Sequence, residues 1–182
     1  MKFLSQLSAT LALMGSVLAH PVFDELMEPV APLKRAQAAL SQVTNFGPNS
    51  SGARMYIYVP NNVAPNPAII VAIHYCTGSA RVYYSGSPYA QLSDQKGFIV
   101  IYPESPYSGS CWDVSSRASL SHNGGGNSNS IANMVTYALD RYNGDASKVF
   151  VTGSSSGGMM TVSGCTFDDK QRRGPRFQAI KG

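Results

Sequence analysis

The sequence predicts an α/β fold built on a parallel sheet, and three observations carry that prediction. Short apolar runs at residues 68–73 (AIIVAI), 98–102 (FIVIY) and 148–152 (KVFVT) read as strands, and unalternating runs of this length suit strands covered on both faces. The stretches between them carry helix signals, so the order strand, helix, strand, helix, strand implies right-handed crossovers between parallel neighbours. The motif Gly153-Ser154-Ser155-Ser156-Gly157 follows directly on the third run, where a sharp strand-to-helix turn belongs. A chain of 182 residues, 43% hydrophobic and 13% charged, is long enough for one buried core, although α/β enzymes commonly need about 200 residues or more in a single unit.

At the N-terminus, Lys2 precedes an apolar run over residues 3–18, and Val17-Leu18-Ala19 closes it. That is the pattern of a secretory signal peptide over residues 1–19. Ser5, Gln6, Ser8 and Thr10 interrupt the run and no later stretch approaches the roughly 20 apolar residues that span a bilayer. A secreted, extracellular protein without a membrane partner is expected. Residues 20–35 contain Pro21, Pro29 and Pro32 and end in the dibasic pair Lys34-Arg35, which reads as a pro-peptide. The cysteines Cys76, Cys111 and Cys165 accompany an export signal, so at least one disulfide and one leftover thiol are expected. Asn49-Ser50-Ser51 is a glycosylation sequon.

Residues 55–59 (MYIYV) form a strand that Pro60 ends, and a turn-rich stretch over 61–67 leads to the first buried strand. Ser87-Pro88 supplies the cap and first residue of a helix over 88–96, and Gly97 its left-handed end. Pro103 stops the strand over 98–102. A polar loop containing Gly109 and Gly124-Gly125-Gly126 follows. Ile131, Met134, Val135, Ala138 and Leu139 then recur at helical spacing in a helix over 128–142 that Asn143-Gly144 terminates.

Net charge is +4, of which residues 36–161 carry +1 and residues 162–182 carry +3. So neutral a body excludes a nucleic-acid or anionic-membrane surface. The sequence shows no metal-ligand spacing and no phosphate loop, so neither a metal nor another cofactor is expected.

G-x-S-x-G after a strand is the pattern of a nucleophile elbow, in which small residues two before and two after the serine let backbones approach. Ser155 is therefore the candidate catalytic nucleophile. The oxyanion that forms on an attacked ester needs preset backbone donors. Ser156 N–H, at the start of the next helix, is one candidate, and Cys76 N–H, in the loop after the 68–73 strand, is the second. His74 reads as a structural hydrogen-bonding residue at a strand end rather than as a base.

The segments Ala72 to Gly78 (AIHYCTG), Cys111-Trp112-Asp113, His122 to Gly126 (HNGGG) and Gly153 to Thr161 resemble those of fungal acetylxylan esterases of carbohydrate esterase family 1. The likeness runs from about Ser41 to Thr161. It implies an α/β-hydrolase fold, Ser155 as nucleophile, and secretion for xylan breakdown, with acetylated xylan as partner and a monomer in the complete form. The same family contains feruloyl esterases and resembles polyester depolymerases, which keeps a feruloyl or polyester substrate as the alternative. Cys76 and Cys111 both follow strands and make a plausible disulfide, and Trp112 is a candidate for the sugar site or for ordinary packing. A different class remains open as well: a non-catalytic secreted protein that binds polysaccharide through Trp112 and Tyr107.

The chain departs from the family in one respect. α/β-hydrolases order their triad as Ser, then Asp or Glu, then His, yet His20, His74 and His122 all precede Ser155. The expectation is that residues 36–161 are the N-terminal part of a catalytic domain without its acid and base, leaving residual catalysis. Residues 162–182 would be an aberrant tail, such as a translated intron. The strand before Ser155 or its neighbour would then be an exposed apolar edge.

Overall fold

The computed structural model describes residues 39–168 and 177–179, all within the unit Lys34–Gly182. The signal-peptide and pro-peptide segments lie outside the described residues. Strands β1 (Ser41–Val43), β2 (Arg54–Tyr58), β3 (Ile69–Ile73), β4 (Ile99–Glu104), β5 (Val149–Gly153) and β6 (Phe177–Ala179) make one sheet in the order β1-β2-β4-β3-β5-β6. Its heart is parallel: Ile69 of β3 pairs with Ile99 of β4 and with Val149 of β5. Helices α1 (Ala80–Gly86), α2 (Tyr89–Lys96), α3 (Arg117–Leu120), α4 (Asn127–Tyr142) and α5 (Ser156–Asp168) supply the connections.

Residues alternate cleanly across this sheet, as a strand period of two requires. Met55, Ile57, Ile69, Val71, Ile73, Ile99, Ile101, Val149 and Val151 share one core cluster with Ile131, Met134, Val135 and Ala138 of α4. Tyr58, Ala72, Val100 and Tyr102 share another with Ala80 of α1 and Ala90 of α2. The C-terminal ends of α2 and α4 use the predicted residues. Gly97, at φ 74°, ends α2 with its N–H donating to Ser93 O, and Asn143, at φ 52°, ends α4.

Four features differ from the sequence reading. The sheet is mixed, because β2 runs antiparallel to both β1 and β4; the link from β2 to β3 holds no helix and is shorter than the dozen or more residues that a parallel crossover needs. β4 continues through Pro103 to Glu104. It pairs with β3 only over Ile99–Ile101, so Pro103 lies past the parallel ladder, where a missing N–H breaks nothing on that side. The helix after Ser87 begins at Tyr89 with Pro88 as its cap. Finally, β6, from the residues read as an aberrant tail, pairs with β5 over Val149–Val151, so among the described residues the outer strand is β5's neighbour β6 and not β5 itself. Gln178 Nε2–H also donates to Ser147 O at 3.0 Å.

Candidate active site

β5 ends at Gly153 and α5 begins at Ser156, which leaves Ser154 and Ser155 to make the turn. Ser155 sits at φ 51°, in the left-handed region that costs a side-chain-bearing residue about 1–2 kcal/mol. The turn is closed by Gly157 N–H donating to Ser154 O at 2.9 Å and Met159 N–H donating to Ser155 O at 3.0 Å. Contact explains both flanking glycines. A Cβ on Gly157 would lie 2.3 Å from Ile73 O and 2.5 Å from His74 O, and one on Gly153 would lie 2.5 Å from Gly157 O. The first turn of α5 is thus pressed onto the end of β3, and Ser155 is left exposed above it.

The loop after β3 is pinned from several directions. His74 is fully buried; its Nδ1–H donates to Tyr75 O at 2.7 Å and its Nε2 accepts Ser105 N–H at 3.1 Å. Both ring nitrogens are therefore occupied and the imidazole is neutral, with burial holding its pKa below the ordinary value against the opposing pull of the Tyr75 carbonyl and Glu104. This is the structural residue read from the sequence. Thr77 N–H donates to Gly109 O at 2.7 Å, and Gly78 N–H to Tyr75 O at 3.0 Å. A disulfide joins Cys76 to Cys111. The Cys76 N–H itself has no acceptor among the described residues, and neither has Ser156 N–H, which as the first of α5 has no intrahelical partner.

Trp112 is 4% exposed, its Nε1–H donates to His74 O at 2.8 Å, and its ring packs on His74 with centroids 5.1 Å apart. A ring so enclosed offers no face to a sugar, so the sugar-lining reading gives way to packing. Asp113 accepts from Ser115 N–H, Ser116 N–H, Ser116 Oγ–H and Ser119 Oγ–H. Burial pushes its carboxyl up, but those donors outweigh burial and hold it below the usual range. Asn49 Nδ2–H donates to Ala53 O at 2.8 Å, anchoring the turn before β2. Among the described residues no imidazole or carboxylate hydrogen-bonds Ser155, and no group of three or more His, Cys, Asp or Glu is placed to hold a metal ion.

Two residues absent from the sequence reading touch this site. Tyr83 Oη of α1 lies 3.0 Å from Ser154 Oγ, and Tyr89 Oη of α2 lies 3.0 Å from Thr152 Oγ1. α1 went unread because ARVYYSG mixes aromatic and β-branched residues without a helical apolar stripe. Its one signal was Ser79, whose side chain accepts Val82 N–H as a cap.

A strained serine between close-packed glycines, at the end of a central parallel strand, is the strand-to-helix turn of an α/β-hydrolase fold. The chain belongs to the esterase PHB depolymerase family, which it matches over residues 54–166, past Thr161. It is 72% identical over 143 residues to acetylxylan esterase A of Aspergillus oryzae, covering 78% of this chain and 47% of that protein. It is 57% identical over 165 residues to acetylxylan esterase A of Aspergillus ficuum, covering 90% and 54% respectively. Among solved structures, acetyl xylan esterase from Aspergillus awamori superposes with a TM-score of 0.71 at 67% identity, over 71% of this chain and 47% of that one. The chain thus spans between about a third and about half the length of the curated relatives it matches, 33% to 54%.

Proposed function

We propose that this chain carries the nucleophile and oxyanion donors of a secreted, monomeric serine esterase that removes acetyl groups from xylan. The carrying observation is Ser155 at φ 51° between glycines that have no room for a Cβ; strain of this kind persists where a function keeps it. Ser155 Oγ attacks the acetyl carbonyl, Cys76 N–H and Ser156 N–H hold the oxyanion, the sugar hydroxyl leaves, and water then releases acetate from the serine. A proton acceptor oriented by a carboxylate is also required for efficient attack, and the described residues bring neither to Ser155. On its own the chain is expected to show residual turnover only. The acyl group and the polysaccharide rest on the high identity to proteins named for acetylxylan.

The test joins residues 1–161 to the corresponding remainder of the Aspergillus oryzae relative and measures acetate release from acetylated xylan. Release that falls by about four orders of magnitude or more in Ser155→Ala is expected. Release indifferent to that substitution, or ferulate release without acetate release, would overturn the proposal.

A further inference from the structure

The geometry points to Tyr75 as a specificity-determining contact for the sugar part of the substrate, held in place by Tyr83. The inference rests on the esterase reading above. Tyr75 lies in the loop that offers Cys76 N–H, one residue away, and is 37% exposed although its neighbours His74 and Trp112 are buried. Its ring meets the Tyr83 ring edge-on, with centroids 6.4 Å apart and planes at 75°. Tyr83 in turn lies 3.0 Å from Ser154 Oγ, beside the candidate nucleophile. An exposed aromatic ring is thereby tied to both halves of the site, the oxyanion loop and the elbow.

Tyr83 is well supported for this. Its helix begins at Ala80, whose N–H donates to Glu104 Oε2 at 3.0 Å, and Glu104 is paired with Arg54 at 2.7 Å. Burial pushes the Tyr83 phenol up, so it stays protonated. Tyrosine suits such a wall because the ring is rigid, loses little entropy on contact, and presents an apolar face with a polar tip. A pyranose offers the complementary surface, C–H groups rimmed by hydroxyls. Trp112 cannot serve here, since it is enclosed.

The test is equilibrium binding of acetylated xylotetraose to the full chain, followed by NMR. Tyr75→Ala is expected to weaken binding about 3- to 10-fold, while Tyr75→Phe, which keeps the ring, stays within about twofold. Magnetisation transfer from sugar protons to the Tyr75 ring in the unsubstituted protein is the second readout, so the result does not depend on how well the alanine variant folds. Unchanged affinity in Tyr75→Ala, absence of transfer to Tyr75, or no binding to the unsubstituted protein would each overturn the assignment. Ser155-dependent acetate release would stand untouched by any of these, so the two failures are separable.

Discussion

The two faces of the sheet are built from different side chains. The face toward α4 is mainly aliphatic, with Ile69, Ile99, Ile101, Met134 and Val149 wholly buried and Phe46 and Trp112 at its margin. The face toward α1 and α2 is tyrosine-rich, with Tyr58 and Tyr102 buried and Tyr56, Tyr83, Tyr84 and Tyr89 packed around them. Aliphatic groups fill volume and remove apolar surface from water, but they do not single out a neighbour atom. A tyrosine fills similar volume and also directs one hydroxyl. Tyr58 Oη–H donates to Asp94 Oδ1 at 2.7 Å, and Tyr89 and Tyr83 reach Thr152 and Ser154, alternate residues leading into the elbow. One face therefore carries mainly stability and the other carries register at the site.

That division can be broken from either side. Met134→Ala, at a fully buried position of the aliphatic face, should cost about 2–5 kcal/mol in urea denaturation; a loss under about 1 kcal/mol would show that α4 is not the main anchor. Gly157→Ala drives a Cβ into the backbone of Ile73 and His74 and should cost about 1–3 kcal/mol. A neutral result there would mean that the elbow is looser than its contacts imply. On the tyrosine face, Tyr89→Phe removes one directed hydroxyl and should cost about 0.5–1.5 kcal/mol, read as a small drop in melting temperature. Ser155→Gly relieves the left-handed strain and should raise stability by about 0.5 kcal/mol after the extra flexibility of glycine in the unfolded chain is subtracted. A clear loss of stability would contradict the strain.

His74 adds a pH dependence. Its folded pKa lies below the ordinary 6.5 because of burial, so the unfolded chain binds the proton more readily. Its contribution is full above about pH 6.5 and declines as pH falls through the lower folded value. Denaturation at pH 7 and pH 5, compared with His74→Gln, checks the sign: the variant should lose part of this slope.

Much of the parallel heart was legible in the sequence, because apolar runs such as 68–73 and 98–102 and the caps Gly97 and Asn143 act through local chemistry. The sharp turn at Ser155 was legible too, since G-x-S-x-G expresses a contact between backbones. What escaped was set by distant partners. The antiparallel pairing of β2 depends on which strand it meets, β1 is only three residues long, and Pro103 could remain in a strand only because β3 stops pairing before it. Tyr83 and Tyr89 gave no signal in their own neighbourhoods, as their partners lie 71 and 63 residues along the chain. Trp112 shows the same limit, because its burial comes from His74, 38 residues away.

The most direct measurement is to incubate the protein with an activated acetate ester and locate acetyl groups by mass spectrometry within the run Ser154-Ser155-Ser156. Only Ser155 combines an exposed side chain with the left-handed turn, while Ser154 lies within hydrogen-bonding distance of Tyr83 and Ser156 is buried. Acetylation confined to Ser155 is the expected result; label on Ser154 or Ser156, or spread evenly over the three, would contradict the elbow assignment.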